Sequence, residues 1–324
     1  MGGDLDVVAV GGQRARHRLA QVVVVLHEQD LGVHRPANVA AAHGCNRVPT
    51  QRQPRAWGPL TPRRDSGAPP SAKELAVPTL SSLSIVLPCF NEAPNVAAAV
   101  AEAQAAASAC ASEHEILVVD DGSTDGTQAV AHAIAAADPR VRVVVHEANR
   151  GYGAAVRSGF NASRGDWVLL TDGDLQFDLG ELSAFLEPAA DHDLVAGFRI
   201  DRADPLPRRM AAHAWNRLMR RTFGVALRDV DCAFKLMRGP ALRALPLESD
   251  GAMISTELLV RAQDAGWRIG EVGVHHRART AGEPSGGDPA VVWRAFRERR
   301  ALMRDLRARR AAPASAALAR PTPS

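Results

Sequence analysis

The chain has 324 residues, 39 basic and 36 acidic side chains, a net charge of +3 and 46% hydrophobic residues. That composition excludes wholesale disorder and collagen-like repeats, and the length allows one large or two ordinary domains. No apolar run approaches the ~20 residues of a membrane-spanning helix, so any membrane contact is expected to be peripheral.

The small net charge hides a segregation. Residues 81–293 are acidic in sum and both ends are basic, with eight arginines against Glu298 and Asp305 in residues 294–310. A nucleic-acid binder would spread basic residues across its folded surface, so no nucleic-acid partner is expected. The pattern fits an acidic core that holds a cation and ends that meet something anionic. Cys45, Cys89, Cys110 and Cys232 lie far apart without a CxxC pair. Neither a zinc site nor a disulfide framework is expected, and a reducing, cytoplasmic setting is the default. Met1-Gly2-Gly3-Asp4 lacks the basic and apolar regions of a secretory signal.

Residues 1–80 show short apolar stretches broken by Arg, Gly and Pro, and read as a disordered or mis-started extension without chemistry. From Ser84 the text changes. A buried strand 84–87 ends at Pro88, and Pro94 precedes an Ala-rich helix over 95–110. Strand 115–119, a turn at Asp120–Ser123 and helix 125–137 follow. Strand 141–146 leads to a glycine loop at 149–153 and helix 154–163. Strand 166–171 leads to Asp172-Gly173-Asp174, and helix 180–190 to strand 193–197. A helix over 208–221 and a strand-like run Ile269–Val274 come later.

This alternation, with continuously apolar strands, predicts an α/β fold built on a mostly parallel sheet with helices on both faces. Ligands of such sheets bind outside the carboxyl ends of the strands. Polar residues cluster at those ends: Asn91 and Glu92, then Asp120 and Asp121, then Asp172 and Asp174.

Two segments carry chemistry. Asp120-Asp121-Gly122-Ser123-Thr124-Asp125-Gly126-Thr127 offers strand-end carboxylates to a nucleoside, or equally an Asx turn with a helix cap from Thr124 or Asp125. Thr171-Asp172-Gly173-Asp174-Leu175-Gln176 offers hard oxygen ligands for Mg²⁺ or Mn²⁺, which sit between carboxylates and substrate phosphates.

With Leu87-Pro88-Cys89-Phe90-Asn91-Glu92 and Asn149-Arg150-Gly151-Tyr152-Gly153, these segments resemble glycosyltransferase family 2 over residues 82–280. The resemblance implies a Rossmann-like fold of GT-A type and an inverting, metal-dependent hexosyltransferase. Gln176, Gly197-Phe198-Arg199 and Arg279–Ser285 are similar to the polyprenyl-phosphate members, which implies a nucleotide-sugar donor (GDP or UDP) and a polyprenyl- or dolichyl-phosphate acceptor.

Position by position, the resemblance implies that Pro88, Phe90, Glu92 and Asp121 hold the nucleoside. Val119, Asp172, Gly173, Asp174, Arg199 and Arg279 join them in binding the nucleotide sugar. Asp172, Asp174 and Gln176 would hold Mg²⁺ or Mn²⁺, Asp174, Arg199 and Arg279 would act in catalysis, and Arg208 would meet the acceptor phosphate. Gly286-Gly287-Asp288 departs from archaeal-type mannose synthases, which carry lysines there, so base and sugar stay open.

An acceptor phosphate is already anionic and needs no general base; a hydroxyl acceptor would need one, for which Asp231 and Glu257 are available. The alternatives are therefore a family member acting on a soluble or polysaccharide hydroxyl, and a nucleotide-binding module without turnover. The domain reading is an extension over 1–80, a GT-A domain over 81–290, a basic amphipathic helix over 291–310 and a disordered tail over 311–324. Residues Val291–Arg310 suit an anionic membrane surface at its cytoplasmic face, with a separate membrane-spanning partner as a further expectation.

Overall fold

Strand β1 (Leu80–Cys89) is the axis of the molecule, paired in parallel with β2 (Ala111–Asp120) on one side and β4 (Trp167–Leu170) on the other. The computed structural model describes residues 79–200, 206–278 and 289–311, with backbone alone at 206–208, 289–292 and 310–311. Most of the expected extension, most of the tail and Arg279 lie outside the described residues, as does the side chain of Arg208.

β1 runs longer than the sequence predicts, straight through Pro88. Val86 O accepts from Thr171 N on the β4 side and Cys89 O from Asp121 N on the β2 side, so Pro88 faces β4. The β1–β4 ladder stops at Val86↔Leu170, and no partner there asks Pro88 for the N–H it lacks.

β3 (Val141–Val145) extends the sheet beyond β2. β5 (Leu194–Ile200), β6 (Lys235–Arg238) and β7 (Ile269–His275) extend it beyond β4, in the order β3-β2-β1-β4-β6-β5-β7. β6 is antiparallel to both neighbours and is the one strand the sequence reading lacks. The sheet is therefore parallel in its first half and mixed in its second.

Helices cover both faces. α1 (Val96–Cys110) and α2 (Thr127–Ala137) pack with α4 (Ser183–Ala189) against Ile85, Leu87, Ile116, Val118 and Leu169. α3 (Tyr152–Ala162), α5 (Leu206–Phe223), α7 (Ile254–Asp264) and α8 (Pro289–Ala311) pack against Val86, Leu117, Val119, Val168 and Leu170. The alternation of side chains between two cores is the period-2 signature of a strand buried on both faces. α6 (Gly239–Arg243) is a single short turn. The helix expected over 180–190 divides into a 3-10 turn at Leu179–Leu182, started by Asp178 accepting from Gly180 N, and α4.

Candidate active site

The β1–β4 ladder ends at Val86↔Leu170 while β1 and β2 stay paired to Cys89↔Asp120, and polar loops follow the carboxyl ends of all three strands. After β1, Asn91 turns into the left-handed region at φ 55° and its side chain accepts from Thr124 N. Glu92 N donates to Thr127 Oγ1 and Ala93 N to Asp125, tying this loop to the turn after β2. Glu92 is buried and accepts from Asn95 Nδ2 at 2.6 Å. Phe90 is 44% exposed at the rim, an aromatic face open to solvent.

After β2 the two aspartates divide their work. Asp120 Oδ1 accepts from Ser123 N, three residues on, while its buried Oδ2 has no protein partner among the described residues. Asp121 has three partners: Oδ1 lies 2.6 Å from His146 Nδ1 and accepts from Arg150 N, and Oδ2 accepts from Gly151 N. His146 in turn reaches Ser158 Oγ through Nε2 at 2.9 Å. Asp121, which the resemblance places at the nucleoside, also holds the glycine loop. Pro88 is buried, and the Val119 side chain is packed in the second core beside Gly159.

After β4, Asp172 and Asp174 flank a glycine packed against β1. A β-carbon on Gly173 would lie 2.8 Å from Cys89 Sγ. Tyr152 donates to Asp172 Oδ1 at 3.1 Å, and Asp174 accepts from Gln176 N. Leu175 sits at φ 62°, a second left-handed non-glycine residue at the site. Gln176 spends its amide nitrogen on Arg277 O, holding the end of β7. Burial and the charge of Asp174 push the Asp172 carboxyl up to about 6.

Behind this pair lies a group of charges of which sequence reasoning named Arg199 and Asp231 but gave Asp229 and Lys235 no role. Arg199 grips Asp229 through Nε and Nη2 at 2.6 and 2.9 Å. Lys235, fully buried on β6, donates to the carbonyls of Val230 and Cys232. Burial pulls its ammonium down, and burial and Asp229 push Asp231 up to about 6. Tyr152 and Lys235 could have been suspected: one stands within the glycine motif, the other is a lone lysine in an apolar run.

Among the described residues no three His, Cys, Asp or Glu side chains form a closed metal cage. Asp172 and Asp174 supply two hard carboxylate ligands, the number an ion shared with substrate phosphates needs. Arg199 and Lys235 lie close enough to Asp172 and Asp231 to favour their charged forms.

This architecture is that of a GT-A glycosyltransferase. Solved structures of similar fold include glucosyl-3-phosphoglycerate synthase from Mycobacterium tuberculosis with uridine diphosphate, at TM-score 0.54 and 22% identity. The match covers 69% of this chain and 80% of that one. The same synthase with Mn²⁺, UDP-glucose and phosphoglyceric acid also matches at 0.54.

The chain belongs to glycosyl transferase family 2, whose profile matches residues 84–245, half its length. It is 32% identical over 212 residues to undecaprenyl-phosphate 4-deoxy-4-formamido-L-arabinose transferase of Edwardsiella ictaluri, covering 64% of either protein. It is 34% identical over 199 residues to glycosyltransferase AglD of Haloferax volcanii, covering 58% of this chain and 32% of that protein. The chain thus spans less than two thirds of the length of these relatives.

Proposed function

We propose that this protein is an inverting glycosyltransferase that moves one sugar from a nucleotide donor to polyprenyl phosphate. The observation that carries the reading is the Asp172–Asp174 pair, set two residues apart after β4 with Asp174 buried, Asp172 held by Tyr152, and Arg199 close by. The resemblance to undecaprenyl-phosphate transferases supports the acceptor, and the uridine diphosphate bound by fold neighbours supports a UDP-sugar over a GDP-sugar.

Asp172 and Asp174 would hold Mg²⁺ or Mn²⁺, with Gln176 beside them; the ion would neutralise charge on the donor diphosphate and its leaving group. Tyr152 fixes the rotamer of Asp172 through its hydroxyl. Phe90 offers its exposed face to the base, and Glu92 stands next to it. Arg199 is aimed by Asp229, leaving Nη1 as a donor unused by that pair. Arg279 is assigned to the departing diphosphate. A phosphate nucleophile, held by Arg208, attacks the anomeric carbon from the face opposite the leaving group and inverts it. It is anionic already, so no protein base is required.

Access to a lipid acceptor is assigned to α5. His213, Arg217, Arg220 and Arg221 line an open groove of about 470 Å³, and no acidic residue interrupts the helix. Met210 and Trp293 stand 64% exposed, as apolar anchors beside cationic groups do at a lipid surface. No described helix is long and apolar enough to cross a membrane, which fits peripheral binding at the cytoplasmic face.

Incubation with labelled UDP- and GDP-sugars, Mn²⁺ and undecaprenyl phosphate should yield a lipid-linked, acid-labile product. Transfer only to water-soluble hydroxyl acceptors would overturn the acceptor assignment.

A further inference from the structure

Helix α8 reaches past the core it covers and touches the glycine loop that carries Tyr152. Arg294 Nη2 donates to Arg150 O at 3.2 Å while its Nε pairs with Glu298 at 3.0 Å. The Glu298 carboxylate lies 2.7 Å from where a β-carbon on Gly251 would sit. One helical stretch further on, Asp305 holds Arg261 at 2.9 Å. Arg261 holds Glu257 at 2.7 Å, and Glu257 accepts from Glu248 N and Ser249 N. Arg309 closes the ring on Glu248 at 3.0 Å.

The segment 248–251, fixed from one side by α8 and α7, fixes the glycine loop from the other. Asp250 O accepts from Gly153 N and Ala154 N, and Arg157 pairs with the Asp250 carboxylate at 2.6 Å. The contact is so close that a β-carbon on Gly151 would lie 2.5 Å from Asp250 O, and one on Gly153 would lie 2.4 Å from Ser249 O. From there Gly151 N and Arg150 N bind Asp121, and the Tyr152 hydroxyl binds Asp172. Two routes, one direct and one through the buried Glu257–Arg261 pair, thus join α8 to both acidic segments of the site.

We infer that α8 is a clamp on loop 149–153, with Arg294 and Asp305 as positioning residues that set the geometry of the donor site. The consequence for donor binding rests on the nucleotide-sugar reading; the mechanical coupling does not. Arg294 is partly exposed and touches loop backbone, so its loss frees the loop without opening the core.

Hydrogen exchange of the full chain tests the coupling without any ligand. Arg294→Ala and Asp305→Asn should speed exchange of the Arg150, Gly151, Gly153 and Ala154 amides by about fivefold, the equivalent of one lost hydrogen bond, and leave β1 and α1 unchanged. In parallel, the Kd for UDP with Mn²⁺ should rise by about fivefold in Arg294→Ala and recover in Arg294→Lys. Unchanged exchange in both variants would overturn the clamp. Faster exchange with an unchanged Kd would overturn its role in the donor site. Failure of the wild type to bind UDP or GDP would instead refute the nucleotide-sugar reading and leave the clamp to be decided by exchange.

Discussion

Asp231 shares its surroundings with Asp229, Arg199 and Lys235, and accepts from the Trp215 side chain. Burial first and Asp229 second push its carboxyl up to about 6, above the ~3.9 of an unfolded aspartate. A raised acid stabilises the fold fully below the unfolded value and loses that contribution as pH rises through the folded one. Asp231→Asn should therefore gain thermal stability over wild type at pH 8, with no gain at pH 4. With a phosphate acceptor, its turnover should stay near wild type; a large loss in a folded variant would point to a hydroxyl acceptor and a base. At this scale the sequence was legible where type and place agree. Asp172 and Asp174 stand at a strand end in a loop of oxygen donors, and the structure brings them together. The engagement of Asp121 with His146 was not legible, because it joins the ends of neighbouring strands through side chains whose directions no local pattern encodes.

Elements were legible where a buried face repeats. α1 buries Val96, Ala99, Val100, Ala103, Ala106, Ala107 and Cys110, the spacing of one helical stripe, and was placed within a residue of its bounds. β6 escaped because it has four residues, begins with a lysine and runs antiparallel between strands that sequence order would have paired directly. Lys235 is tolerated there because two carbonyls receive its ammonium and nearby carboxylates offset its charge. α7 shows the converse. Glu257 was weighed as a catalytic base, and the structure places it fully buried, accepting from two backbone amides and Arg261. Glu257→Gln should lower stability by about 2 kcal/mol in urea unfolding, since it removes the buried charge that accepts from Arg261 Nε and two backbone amides and leaves Arg261 to Asp305. An unchanged midpoint, with activity lost, would return Glu257 to the chemistry.

Across the whole molecule, charge is sorted by task. Carboxylates gather at the carboxyl edge of the sheet, where β1 and β4 part, and arginines gather on α5 and α8. The same two helices meet each other, Trp215 of α5 packing edge-on against Phe296 of α8. The face assigned to an anionic lipid surface is therefore continuous with the clamp on the donor loop. On the proposed reading, Asp172 and Asp174 hold a nucleoside diphosphate through a divalent ion. Calorimetric titration of UDP and GDP, with and without Mn²⁺, into wild type and Asp174→Asn tests it most directly. At least one nucleotide should bind wild type only when Mn²⁺ is present, and Asp174→Asn should weaken that binding by about tenfold or more while keeping its melting temperature. Equal affinity with and without the ion, or in both proteins, would contradict the account.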